Sequence, residues 1–334
     1  MDALGWPESR VTVTRTGPLI DTLLMLALPA SGKSVIRRFL SRLSPEVAAS
    51  DFYLGPLVQL DDFPYVNFMI RISESMEDMG HEPAFIAGGA FRDLGDWGTL
   101  IHLINEDYAA LGRPIRTIER PPGEWIMDRL EAARARIGMA APFSQLDREQ
   151  RRVTAMAIEH EAAQFAALWS TRSRPPSGTV VIEFSRGGPD DASVPLSPPH
   201  GYAYSLSQLS TEILQRAVVL YVWVTPEDSR RRNRERAKPG GEGSSLHHCV
   251  PEEVMRSNFG TDDMRWLVDH GERVGRISVH TSGSTFHLPT AIYDNRDDLM
   301  MFQRRDPTTW PQDEVAQVRN ALAEAFETLA TPTI

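Results

Sequence analysis

Apolar residues in this chain fall into two kinds of run. Short, nearly unbroken stretches at residues 19–26, 57–60, 179–184, 217–224 and 285–293 have the length and continuity of strands buried on both faces. The first carries Asp21 and Thr22 near its start, and the last contains Pro289, an unusual residue for a central strand. Elsewhere the apolar residues recur at helical spacing. Val35, Ile36, Phe39, Leu40 and Leu43 form one stripe, with Arg37, Arg38 and Arg42 on other faces, and Ser44-Pro45 marks its end. Residues 97–111, 124–137 and 146–169 predict further helices, as do residues 312–329 through Val315, Val318, Leu322, Phe326 and Leu329. Strands alternating with helices predict an α/β fold built on a doubly wound, mainly parallel five-stranded sheet. Roughly 115 residues separate the second and third strands, too many for a simple crossover, so a helical insertion is expected there. The division that follows is a core over residues 1–64, an insertion over 65–172, and the rest of the core over 173–334.

The junction of the first strand and first helix carries the strongest chemical signal. Ala27, Leu28, Pro29, Ala30, Ser31, Gly32, Lys33 and Ser34 follow the spacing A-x4-G-K-S, a phosphate-loop pattern with Ala27 where glycine is usual. Backbone N–H groups of such a loop wrap phosphate oxygens, and the following helix, from about Val35, points its positive end at them. Gly32 lets the backbone approach without a Cβ, Lys33 reaches the terminal phosphates, and the Ser34 hydroxyl suits Mg²⁺. The pattern predicts binding of ATP or another nucleoside triphosphate.

Composition narrows the setting. The 334 residues carry a net charge of −10, which disfavours non-specific binding to nucleic acid. The start of the sequence lacks a signal-peptide pattern, and the longest apolar run is far short of a membrane span. Cys249, the single cysteine, leaves no internal disulfide. A cytoplasmic protein is expected. His247-His248-Cys249 has no second cluster at metal-site spacing and reads as an exposed polar turn.

Three further segments resemble the P-loop kinase family, the group of nucleoside, nucleotide and other small-molecule kinases. Asp61-Asp62-Phe63 after the second strand is similar to the acidic turn of uridine-kinase-like members. Glu183-Phe184-Ser185-Arg186 resembles the acidic and arginine-bearing turn of deoxynucleoside and thymidylate kinases. Residues 228–236, with Arg230, Arg231, Arg232, Arg234 and Arg236, resemble a lid helix, the lid extending over about 228–260. The resemblance implies transfer of a terminal phosphate to a small acceptor, most naturally a nucleoside, nucleotide or related metabolite. Asp61 or Asp62 would take or orient the acceptor hydroxyl proton, while Ser34, Glu183 and Asp62 would face Mg²⁺. Arg186, with Arg232 and Arg236 at i and i+4, would neutralise developing charge, and Asn295 would lie near the adenine pocket. The resemblance does not reach the insertion, where Asn105, Glu106 and Asp107 are candidate acceptor contacts alongside His200, Tyr202 and Tyr204 downstream. A non-kinase NTPase or nucleotide-switched regulator, and a toxin-like or antibiotic-modifying kinase, share most of these motifs. The oligomeric state is not legible in the sequence.

Overall fold

The computed structural model describes residues 18–113, 117–236, 249–299 and 309–331. Its centre is a six-stranded sheet in the order β2-β5-β1-β6-β8-β7. The strands are β1 (Thr22–Leu26), β2 (Leu57–Asp61), β5 (Thr179–Phe184), β6 (Ala217–Trp223), β7 (Arg276–His280) and β8 (Thr285–Asp294). All neighbouring pairs are parallel except β7 with β8. The sheet therefore has one strand more than the sequence pattern predicted. The additional strand, β7, alternates polar and apolar residues (Arg-Ile-Ser-Val-His) as an edge strand does. Pro289 is accommodated because β8 changes partner there. Residues 285–289 pair with β7, and residues 290–294 pair with β6.

Alternating side chains of each central strand enter two different cores. Leu23 and Met25 of β1 pack with α1 (Lys33–Leu40), α2 (Pro45–Phe52) and α13 (Gln312–Ala330). Leu24 and Leu26 pack on the opposite face with α4 (Asp96–Ala110), α8 (Gly201–Ser207) and α12 (Met264–Asp269). Helices thus cover both faces, as continuous apolar strands demand. Pro45 does not close α1, which already ends at Leu40; it opens α2, with Ser44 accepting the Val47 N–H as N-cap.

The segment between β2 and β5 forms a third core of its own. It contains α3 (Phe63–Asp78), a small hairpin of β3 (Ile86–Ala87) and β4 (Ala90–Phe91), and α4 to α7, so it is not purely helical. The expected helix over 146–169 is two: α6 (Arg148–Ala157) and α7 (Glu159–Thr171), parted at Ile158. At the break Arg71 reaches in from α3 and donates to the Ala157 carbonyl at 3.0 Å. Helix α11 (Glu252–Asn258), within the stretch expected to form a lid, packs Val254 and Met255 into this third core. Within that stretch residues 237–248, including His247 and His248, lie outside the described residues.

Candidate active site

Three adjacent strands end at one cavity of about 460 Å³. Register aligns Leu26 of β1 with Phe184 of β5, and Glu183 of β5 with Asp61 of β2. The residues following each strand therefore converge beyond the carboxyl ends of the sheet, where open α/β sheets hold ligands. Pro29, Ala30, Ser31, Gly32, Lys33 and Ser34 line the cavity together with Asp61, Asp62, Glu183 and Arg186. Ala27, Leu28 and Val35 do not: Ala27 and Leu28 are buried in the cores, and Val35 packs against the core that holds Leu23 and Met25.

Gly32 caps α1 in the left-handed region at φ 103°. A Cβ there would fall 2.5 Å from Asn295 Nδ2, so both backbone conformation and space require glycine. Asn295 does not line the cavity: it is buried, and its Nδ2 donates to the Ser31 carbonyl at 2.7 Å, bracing the loop from behind. Ser31 Oγ is buried with no hydrogen-bond partner among the described residues, an unmet polar group in the same loop.

Lys33 is buried, and its ammonium donates to Ala27 O at 2.9 Å and Ser185 Oγ at 2.6 Å. Burial lowers its pKa to about 8, while Glu183 and Asp62 pull in the opposite direction. Ser34 Oγ faces Glu183 Oε1 at 3.5 Å, and the other carboxylate oxygen, Oε2, accepts from Arg37 Nη1 at 2.9 Å. Arg37 also lies 4.0 Å from Asp61. Arg37 was not singled out as a site residue by sequence reasoning, although it lies one helical turn after Lys33 and so on the same face. The half-buried Asp61 has its pKa pushed up to about 7 by desolvation first, then by the charges of Glu183 and Asp62.

Asp62 Oδ2 accepts from Arg186 Nη1 at 2.6 Å. Arg186 is 1% exposed, lies 4.7 Å over the Trp97 ring and 5.0 Å from the Phe184 ring, and donates through Nε to Ser205 Oγ. It fixes Asp62 and one cavity wall.

The arginines of α10 (Pro226–Arg236) divide by face. Arg236 lines the cavity. Arg232 does not: it is buried and donates through Nη2 to the carbonyls of Asn295 and Arg296 at 2.7 and 2.8 Å. Its guanidinium thus lies against the loop after β8 rather than in the cavity with Arg236. The i, i+4 rule put it on the right helix but could not show that this face meets the loop after β8. Arg230, Arg231 and Arg234 pair with Asp190, Asp228 and Glu252.

The other acceptor candidates are committed elsewhere. Asn105 bonds the backbone at Gln208 and Ser210, while Glu106 and Asp107 hold the buried Arg129. Tyr202 is fully buried and accepts the Arg186 N–H. His200 and Tyr204 do not line the cavity.

The oxygen set of Ser34, Glu183 and Asp62 suits a hard cation, and unpartnered Ser31 Oγ suits an oxyanion. Among the described residues no group of three or more His, Cys, Asp or Glu side chains is placed to cage a metal unaided. A Mg²⁺ ion that takes most of its ligands from phosphates and water needs no such cage. No described helix is long and apolar enough to cross a membrane. No protein-family model matches this chain and no curated protein matches its sequence, so its functional reading rests on this geometry.

Proposed function

We propose that the protein is a Mg²⁺-dependent phosphotransferase of P-loop kinase type, moving the terminal phosphate of ATP or another nucleoside triphosphate to a small hydroxyl acceptor. One observation carries the reading: Lys33 and the carboxylates of Asp61, Asp62 and Glu183 converge on a single cavity at adjacent strand ends. Lysine at the loop supplies charge for the phosphates, and the acids on the other side supply what an acceptor needs. A nucleotide-switched regulator needs a Mg²⁺-facing acid such as Glu183 but not the acidic turn of Asp61 and Asp62, which a kinase uses for its acceptor.

In this reading the acceptor oxygen attacks the terminal phosphorus, the bond to the bridging oxygen breaks, and that electron pair leaves with the nucleoside diphosphate. The hydroxyl proton passes to Asp61, whose raised pKa suits a base working near neutrality. Asp62, held by Arg186, orients the hydroxyl, and Lys33 and Arg236 stabilise charge on the phosphate oxygens. Ser34, Glu183 and Asp62 would hold Mg²⁺, which supplies charge neutralisation along the phosphates. Glu183 would first release its Arg37 bond.

Lys33→Met tests the reading, methionine being chosen because this lysine stem is buried rather than exposed. Affinity for ATP·Mg²⁺ by calorimetry should fall by about tenfold or more with the circular dichroism spectrum unchanged. Equal binding by wild type and variant would overturn the assignment.

A further inference from the structure

The cavity has a second end whose chemistry differs from the first. Phe63, Val66 and Ile70 lie on one face of α3, and Ile86, Phe91 and Trp97 complete the wall. Phe63, Val66, Ile70 and Phe91 are only half-buried, so apolar surface remains open to a ligand. The wall is preformed. Phe91 and Phe259 meet Trp97 edge-on at 4.6 and 5.7 Å, and Gly88 and Gly89, both at positive φ, turn the β3–β4 hairpin tightly. A Cβ on Gly89 would lie 2.9 Å from Pro251, so the hairpin tip is pressed against the segment before α11.

Among the described lining residues, the cations exposed to the cavity gather at the other end. Among the described lining residues the cations are Lys33, Arg37, Arg186 and Arg236. Lys33 and Arg37 belong to the loop and α1. Arg236 acts electrostatically on Lys33, and α10 is tied to the loop by Ser229 Oγ donating to Pro29 O at 2.6 Å. Arg186 is buried behind Asp62 and Trp97. The negative groups near the apolar end are Asp61 and Asp62, with Glu74 and Glu77 exposed at its rim. An acceptor carrying its own phosphate would place a dianion against apolar walls and carboxylates, a costly desolvation without a counter-charge.

We propose that the acceptor is an uncharged or cationic hydroxyl compound with an apolar body, not a phosphorylated one such as a nucleoside monophosphate or sugar phosphate. This rests on the phosphotransfer reading above and names the substrate class for the same site. The hydroxyl meets Asp61 and Asp62, and the body lies between α3, the hairpin and Trp97.

Calorimetry on the full chain tests it, with AMP-PNP·Mg²⁺ saturating the loop end so that AMP cannot bind there. The probes are 6-phenylhexan-1-ol, AMP and ribose 5-phosphate. The alcohol should bind at least about tenfold more tightly than either phosphate, and Val66→Arg should weaken it by about tenfold or more. Ile70→Arg gives the same readout should the first variant fail to fold, with circular dichroism as the check. Tighter binding of AMP or ribose 5-phosphate, absence of alcohol binding, or alcohol binding unmoved by a folded variant would overturn the proposal. Failure of AMP-PNP·Mg²⁺ to bind the wild type would instead strike the phosphotransfer reading. The same probes, titrated without nucleotide, would then still decide the ligand class of the apolar end.

Discussion

Two neighbouring aspartates at the end of β2 are set apart by their partners. Asp61 is raised to about 7, so catalysis that needs it ionised should climb with pH through that value. Its effect on stability runs the other way. Between its ordinary value of 3.8 and about 7 the folded chain keeps a proton that the unfolded chain has lost, so the stability Asp61 contributes below 3.8 is lost as pH rises through this window. Asp96 and Asp262, both raised to about 6 chiefly by burial, act in the same direction. Asp61→Asn should therefore cut kcat by roughly two to four orders of magnitude while flattening this pH dependence of Tm. Asp62→Asn should behave differently. It removes the charge opposite Arg186, whose guanidinium is 1% exposed, and should cost on the order of 3 kcal/mol. Thermal unfolding at pH 5 and pH 8, read beside turnover, separates the two. Equal destabilisation by both would contradict these assignments.

At the scale of elements, what the sequence disclosed was local. The spacing from Ala27 to Ser34 could be read because loop, glycine and lysine chemistry lie within a few residues, and β5 and β6 because strands buried on both faces are continuously apolar. What it concealed depends on distant partners. β7 alternates like any exposed strand, the carbonyl at the α6–α7 break is met by Arg71 from α3, and Asn295 braces Ser31 across the sheet. The apolar acceptor end is assembled from α3, the hairpin and α4, so no single stretch announces it. α10 shows the same limit. Its i, i+4 arginines share a helix side, yet Arg232 clamps the loop after β8 while Arg236 faces the cavity. Arg232→Ala should lower stability by about 1.5–3 kcal/mol through two lost charge-assisted hydrogen bonds, with its effect on kcat secondary. Arg236→Ala should lower kcat more than nucleotide affinity, the pattern of a contact made late. Denaturant unfolding and steady-state kinetics on both variants check this, and a reversal of the two patterns would refute the division.

The whole molecule separates its main structural core from the chemistry. One face of the sheet is closed by α1, α2 and α13, where Phe52 meets Phe326 edge-on at 5.4 Å, and where Arg319 of α13 pairs with Asp51 of α2. The insertion's own core lines the cavity through Trp97 and backs α3's lining face with Phe68 and Met69. Phe326 and Phe91 should thus fail in opposite ways. Phe326 is fully buried, so Phe326→Ala should cost about 3–5 kcal/mol through lost transfer energy and a residual cavity, while molecules that remain folded keep wild-type KM for both substrates. Phe91 is half-buried and already partly in contact with solvent, so Phe91→Ala should cost less stability. Its loss should instead raise KM for an apolar acceptor several-fold and leave KM for the nucleotide within about twofold, since it removes binding shared by ground and transition states. Denaturant melts and two-substrate kinetics on the pair distinguish these outcomes. A Phe91→Ala variant with unaltered acceptor KM would take the hairpin out of the substrate wall and leave it a surface ornament of the insertion.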